Sequence, residues 1–127
     1  MDINIDKHFD FFLYETEAET IEAEAEEIKA FLAGSCSYLN SKQRAGIERA
    51  AKPLFEKLHQ AATAARTEAN RRKANIENAT DPEIKQILEL FYIKGLKLER
   101  IADILYCDRT TLSKKIKKYC NRYLDKG

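Results

Sequence analysis

The sequence predicts an all-α protein, with an N-terminal helical hairpin or bundle followed by a C-terminal trihelical helix-turn-helix domain. The chain of 127 residues contains only 4 Gly and 2 Pro, too few for the many tight turns of an all-β fold. Ala, Glu, Lys, Leu and Arg are abundant and favour helices. Apolar residues recur at intervals of three and four along most of the chain, as on one helical face.

The first long helix is predicted from about Asp10 to Ala33, where apolar residues occupy one face. Glutamates form a stripe over residues 15–27, and Gly34 is expected to end the helix as its C′ residue. We expect the stripe to be a solvated face. The alternative is a phosphate-mimicking surface that contacts or autoinhibits a basic domain.

A second helical region is expected to begin at Ser41 as N-cap and to run to about Ala51. Pro53 marks either a kink or the first turn of a new helix, because proline lacks an N–H donor. From Leu54 onward small alanines recur and allow close helix packing. We therefore expect an antiparallel pairing with the acidic helix, within one chain or between chains.

The net charge of +1 conceals strong segregation of charge along the chain. Residues 1–40 contain two basic and ten acidic residues, residues 41–80 nine and four, and residues 81–127 eleven and seven. An acidic element joined to basic ones favours nucleic acid as a partner. A polar stretch near residues 75–81 predicts the domain division, with 1–79 as an acidic-then-basic region that self-associates into a homodimer and 80–127 as a DNA-binding domain.

The C-terminal region is expected to contain three helices. Asp81-Pro82-Glu83 is a strong start signal, with an N-cap, a proline at N1 and an acid at the positive end of the helix dipole. Gly95 is expected to close this helix. Two more are predicted at Leu98–Tyr106 and Arg109–Leu124, separated by only two residues.

These last two helices carry the pattern of a helix-turn-helix. Ala102 supplies the small residue that the helix crossing needs, and Asp108 can cap the second helix by accepting from the N–H of Thr110 or Thr111. The inner faces are apolar and comprise Ile101, Leu105, Leu112 and Ile116.

The helix 109–124 divides into two contrasting faces on a helical wheel. One arc is expected to be buried and contains Leu112, Ile116, Tyr119, Cys120 and Tyr123. The adjoining arc lacks acids and suits a major groove, where cations and hydroxyls contact guanine edges and phosphates. The candidate DNA-binding residues are Arg109, Thr110, Ser113, Lys114, Lys117 and Asn121.

Residues 84–124, and above all the run Leu90-Phe91-Tyr92-Ile93-Lys94-Gly95-Leu96-Lys97-Leu98-Glu99-Arg100-Ile101-Ala102, resemble the region 4 helix-turn-helix of sigma-70 factors. They resemble more closely the small phage and prophage transcriptional activators of the ArpU and RinA type. The resemblance implies binding to duplex DNA at a promoter-like site and control of transcription, with RNA polymerase as a further partner. It assigns the base-reading positions to Arg109, Thr110, Ser113 and Lys114.

The sequence departs from this family pattern in three ways. Tyr106 occupies the turn position that is usually glycine, and it is strained if its φ is positive. Lys97 replaces the usual Ser or Thr cap. The base-facing positions are hydroxyls more than long polar residues, which implies a different DNA site.

Several other residues have a structural interpretation, which we expect, and a functional alternative. Arg66, Arg71, Arg72 and Lys73 are expected to be favourable cations near a helix C-terminus, with a second phosphate contact as the alternative. Lys115, Lys118 and Arg122 are expected to be solvated. Tyr92, Tyr106, Tyr119 and Tyr123 are expected in the core or at its rim, with a stacking platform for single strands as the alternative.

Catalysis, metal binding and membrane insertion are not expected. His8 and His59 are isolated in sequence, so no metal or cofactor is predicted, and no catalytic motif indicates an enzyme. No purely apolar run exceeds four residues, and the N-terminus lacks the features of a secretory signal. Cys36, Cys107 and Cys120 are expected to be reduced thiols of a cytoplasmic protein.

Two other functions remain open from the sequence. One is a protein–protein adaptor that binds RNA polymerase or a phage partner through its acidic and basic elements. The other is a phage packaging or recombination component that uses the helix-turn-helix structurally.

Overall fold

A computed structural model describes residues 3–125 of the chain, with side chains from Ile5 onward. The described part is helical and contains no strand, which confirms the predicted all-α class. The helices are α1 (Ile3–Phe9), α2 (Phe12–Ser35), α3 (Ser41–Glu77), α4 (Pro82–Leu88), α5 (Leu98–Ile104) and α6 (Arg109–Tyr123), and a π-helical segment (Glu89–Ile93) extends α4.

The chain divides into two compact units, which differ from the predicted division after residue 79. One unit comprises residues 13–68, and the other combines residues 1–12 with residues 69–127. Buried Ile5 and Phe9 of α1 and buried Ala69 and Ile76 of α3 bring both segments into the C-terminal unit. We refer to these parts as the 13–68 unit and the C-terminal unit.

The helix boundaries in the 13–68 unit differ in detail from those predicted. Asn40, and not Ser41, caps α3: its Oδ1 accepts from the Gln43 N–H at 2.8 Å, and the Gln43 Oε1 accepts from the Asn40 N–H at 3.1 Å. This reciprocal pair is a capping box. Gly34 lies inside α2 and does not end it, because the helix continues to Ser35.

Pro53 interrupts neither the residue range nor the apolar stripe of α3, which is one helix of 37 residues. The new helix considered from sequence at this point is therefore absent from the described chain. Proline removes one backbone donor, but the hydrogen bonds on either side remain available. The apolar stripe continues beyond it on the same helix with half-buried Phe55 and Leu58.

Two predicted signals bound α4 and its extension. The Asp81 carboxylate accepts from the N–H groups of Glu83 and Ile84 at 2.9 and 3.3 Å, with Pro82 at N1. At the other end Gly95 adopts a φ of 72°, a left-handed conformation that costs glycine little. These two features confirm the start signal and the closing glycine.

The core of the C-terminal unit is built around α6. Helices α1, α4 and α5 all contact it, and α5 also packs on the π-helical segment. Its fully buried large side chains come from α1, the end of α3, α4, α5 and α6: Ile5, Phe9, Ile76, Ile87, Leu88, Ile101, Leu112 and Ile116. The predicted inner face of the helix pair is thus buried at Ile101, Leu112 and Ile116.

Helix α1 is held by the end of α3. Arg72 Nη1 donates to the carbonyls of Asp6 and Asp10, both at 3.2 Å, and Asn75 Nδ2 donates to the His8 carbonyl at 3.0 Å. The Asp6 carbonyl also accepts from the Asp10 N–H at 2.8 Å, so the side chains of α3 add to the capping of the α1 C-terminus. Of the four cations expected near a helix C-terminus, Arg71 and Arg72 donate to carbonyls at the end of α1. Arg66 instead pairs with Glu22, and Lys73 lies over the Phe11 ring.

In the 13–68 unit α2 and α3 run antiparallel. Arg66 donates from Nε and Nη2 to the two carboxylate oxygens of Glu22, both at 2.8 Å, and Lys29 lies 5.7 Å from the centre of the Phe55 ring. Residues later in α2 thus contact residues earlier in α3. The hydrogen bond from Arg66 lowers the pKa of Glu22 from its usual value.

Candidate nucleic-acid interface

Helix α6 is anchored in the core by one of its faces. Leu112, Ile116, Tyr119 and Cys120 are buried, as predicted. Tyr123, predicted on the same buried arc, is instead 47% exposed, because it lies at the end of the helix. One side of its ring packs against Tyr119, with ring centres 4.9 Å apart. Burial raises the pKa of the Cys120 thiol to about 11. The anchored face fixes which side chains α6 presents to solvent.

The connection between α5 and α6 is longer than the two residues predicted. Helix α5 ends at Ile104, and the four residues 105–108 form the turn. Tyr106 has a φ of 56°, the left-handed conformation that the usual glycine would adopt. The prediction that Tyr106 lies in the core or at its rim is wrong, because a turn residue pointing away from both helices is 97% exposed.

The N-termini of α5 and α6 are capped differently. The Asp108 carboxylate accepts from the backbone N–H of Thr111 at 3.5 Å and from its hydroxyl at 3.3 Å, so the predicted N-cap of α6 is present. Lys97, at the N-cap position of α5, makes no side-chain capping bond. Helix α6 therefore begins at a defined residue, which fixes the rotational position of Arg109 and Thr110.

The candidate DNA-binding side chains share one open side of α6. Thr110, Lys114, Lys117 and Asn121 are exposed, and Ser113 is half-buried beside them. The sequence of α6, residues 109–123, contains no aspartate or glutamate. We call these five residues the polar face of α6. It combines long cations, hydroxyls and an amide, the groups that hydrogen-bond to base edges and phosphates.

Arg109 lies at the start of this face but already has a partner. Its Nη1 donates to Glu99 Oε1 at 2.9 Å, and the two side chains are 61% and 70% exposed. An exposed ion pair of this kind is worth about 0–1 kcal/mol, so a phosphate or guanine competes with Glu99 at small cost. Sequence reasoning missed this pair, because the ten-residue separation spans a turn whose geometry sets the distance.

A second side of α6 is occupied by carboxylates of α4. Lys115 Nζ donates to Glu83 Oε1 at 2.6 Å, which raises the pKa of Lys115 above its usual value. Lys118 and Arg122 line a shallow cleft on the same side together with Asp81 and Glu83. Acids on this side make it less suited to DNA than the polar face.

Tyr119, Tyr92 and His8 have structural partners within the C-terminal unit. The Tyr119 hydroxyl accepts from the Thr80 N–H at 3.3 Å, and half-buried Tyr92 donates to Asp6 Oδ1. Burial, followed by the Asp6 hydrogen bond, raises the pKa of Tyr92 well above its usual value. His8 is buried and its Nε2 lies 2.9 Å from Asp125 Oδ1, a contact that sequence distance concealed.

Between residues 3 and 125, no three His, Cys, Asp or Glu side chains are arranged to hold a metal ion. In the same part of the chain, no helix has the length and apolar character needed to cross a membrane.

The polar face of α6, held in place by a buried opposite side and a capped start, is thus the candidate interface.

Comparison with family models, curated proteins and solved structures found no match for this chain.

Proposed function

We propose that this chain is a sequence-specific duplex DNA-binding transcriptional regulator, encoded by a phage or mobile element, which inserts α6 into the major groove. The observation that supports this most directly is the acid-free polar face of α6 beside an anchored apolar face. Cations and hydroxyls on one exposed helical side match what a major groove offers.

The candidate DNA-binding side chains differ in length and therefore in the DNA groups that they can contact. Arg109 and Lys114 are long enough to hydrogen-bond with guanine O6 and N7, and Asn121 has the donor and acceptor that adenine needs. Thr110, Ser113 and Lys117 suit phosphate contacts that position the helix. The capped start of α6 adds the positive end of its dipole near the DNA backbone.

RNA polymerase is the second partner in this proposal, and it rests on the resemblance to sigma-70 region 4 alone. Exposed apolar side chains of the C-terminal unit, Ile93 and Ile104 at 46% and 41% exposure, offer a protein contact apart from the polar face. A protein–protein adaptor is therefore the alternative function, and it predicts no dependence on Lys114.

Selection of bound fragments from a random duplex pool first yields a DNA site, and variants are then titrated against it. Lys114→Ala should weaken binding, by about tenfold for the loss of one charged contact worth about 1–3 kcal/mol. Lys118→Ala is the matched control, because Lys118 is an exposed lysine of the same helix on the side that α4 carboxylates share.

Equal effects of the two substitutions would contradict the assigned face. An absence of any enriched fragment, together with no binding of random duplex at low salt, would favour the adaptor.

A further inference from the structure

The 13–68 unit leaves its own apolar stripe open. In the stretch 19–61, which the structure describes in full, no side chain is buried. Buried residues of this unit are Ala18, Ala62 and Ala65, all small. A pair of helices without a single large buried side chain lacks the core that packed helices normally have.

The open stripe is regular on both helices. Its members are half-buried and recur every three or four residues: Ile21, Ala25, Ile28 and Leu32 on α2, and Ile47, Ala51, Phe55 and Leu58 on α3. Two such stripes on antiparallel helices form half of a four-helix core.

A groove runs between these stripes toward the turn that joins the two helices. Its volume is about 1080 Å³, and Leu32, Ile47, Ala51 and Phe55 contribute its apolar wall. Residues of both stripes line the open groove, so it suits the apolar side chains of another helix pair.

The charges of the two helices favour a second copy of this chain as the occupant. Over residues 13–35, α2 carries seven glutamates and one lysine, whereas residues 41–68 of α3 carry six Lys or Arg and three Glu. When two antiparallel pairs join around a twofold axis, each acidic α2 lies beside a basic α3 of its own chain and another of the partner. Opposite charges at neighbouring helices favour this register.

We propose that the stripes of two 13–68 units close on each other as a twofold four-helix bundle, so that the dimer interface is this groove. This interface involves the 13–68 unit and not the whole region 1–79, because α1 belongs to the C-terminal unit. The inference does not depend on DNA binding, although a twofold dimer would present two α6 helices to DNA.

Sedimentation equilibrium of the full chain without DNA tests the interface. Phe55→Glu places a charge in the groove and should weaken dimerisation by about 30-fold or more, as for a central interface residue. Gln60→Glu is the control, because it introduces the same charge on an exposed position of α3 outside the groove and should leave the dimer intact.

The cysteines of the unaltered chain supply a second measurement that needs no variant. Cys36 lines the groove, whereas half-exposed Cys107 lies in the C-terminal unit and Cys120 is buried. Alkylation of Cys36 should slow as protein concentration rises through the dimerisation range. The Cys107 rate should stay constant.

A monomer at all concentrations with a constant Cys36 rate would overturn the proposal, as would a Phe55→Glu dimer as tight as the unaltered one. A monomer that still binds duplex DNA removes this inference and leaves the proposed function. A dimer that binds no DNA would leave this inference standing and remove the proposed function.

Discussion

Tyr106 shows at the scale of one residue how the turn departs from the family pattern. Its backbone is left-handed, yet the residue is 97% exposed, so little side-chain packing offsets the backbone strain. Left-handed backbone costs a non-glycine residue about 1–2 kcal/mol. The turn is therefore imposed by the packing of α5 and α6 on either side.

Tyr106→Gly should stabilise the protein by up to about 1 kcal/mol, because relief of strain exceeds the entropy cost of glycine, about 0.5–1 kcal/mol. Tyr106→Ala retains the strain and serves as the control, with no expected gain. Urea unfolding measures both. A loss of stability in the glycine variant would show that the tyrosine ring makes a contribution in the folded state.

Asp125 is the residue whose charge ties the start of the C-terminal unit to its end. The hydrogen bond from His8, with help from Lys7 at 3.4 Å, lowers the pKa of Asp125 from its usual 3.8. A lowered folded pKa means that the unfolded chain binds the proton first as pH falls. The stability from this contact is thus present above about pH 4 and lost as pH drops through the folded pKa.

Asp125→Asn should therefore lower stability at pH 5 and approach the unaltered protein as pH falls toward 2. Unfolding free energies measured across this range give the difference. Asp103→Asn, at an exposed carboxylate on α5, should show no such convergence. A pH-independent difference for Asp125→Asn would mean that its charge is not what stabilises the contact.

At the scale of elements, most helices and their buried faces could be predicted, because periodicity and capping are local. Asp81, Asp108 and the α6 stripe are examples in which the signal lies within a few residues. Helix α1 was missed, because the contacts that hold it come from Arg72 and Asn75, more than sixty positions away. The Glu99–Arg109 pair at the candidate site was missed, because the geometry of the intervening turn brings the two side chains together.

Phe9→Ala should cost about 3–5 kcal/mol, the range for a fully buried phenylalanine. Because α1 contacts α6, hydrogen exchange of the α6 amides should also accelerate. Phe12→Ala is the matched control, since that ring is 67% exposed, and its effect should stay within about 0.5 kcal/mol. Unchanged protection of α6 in the Phe9 variant would support the division after residue 79 and contradict the observed units.

At the scale of the whole molecule, the net charge of +1 is the sum over one acidic segment and two basic segments. The acidic α2 pairs with basic α3 through Glu22 and Arg66, and part of the remaining positive charge is concentrated on α6. We propose that Lys114 and Lys117, on the polar face, contact DNA, so that a nearly neutral chain would bind it through one surface.

The salt dependence of binding to random duplex DNA tests this most directly. On random duplex, where no base is read specifically, we expect Arg109, Lys114 and Lys117 all to contact phosphates. Each such contact contributes about −0.9 to the slope of log K against log salt concentration, which predicts a slope of about −3 per chain. Fluorescence anisotropy from low to moderate salt measures it. A slope near zero, or no binding at low salt, would contradict the proposal that α6 binds DNA.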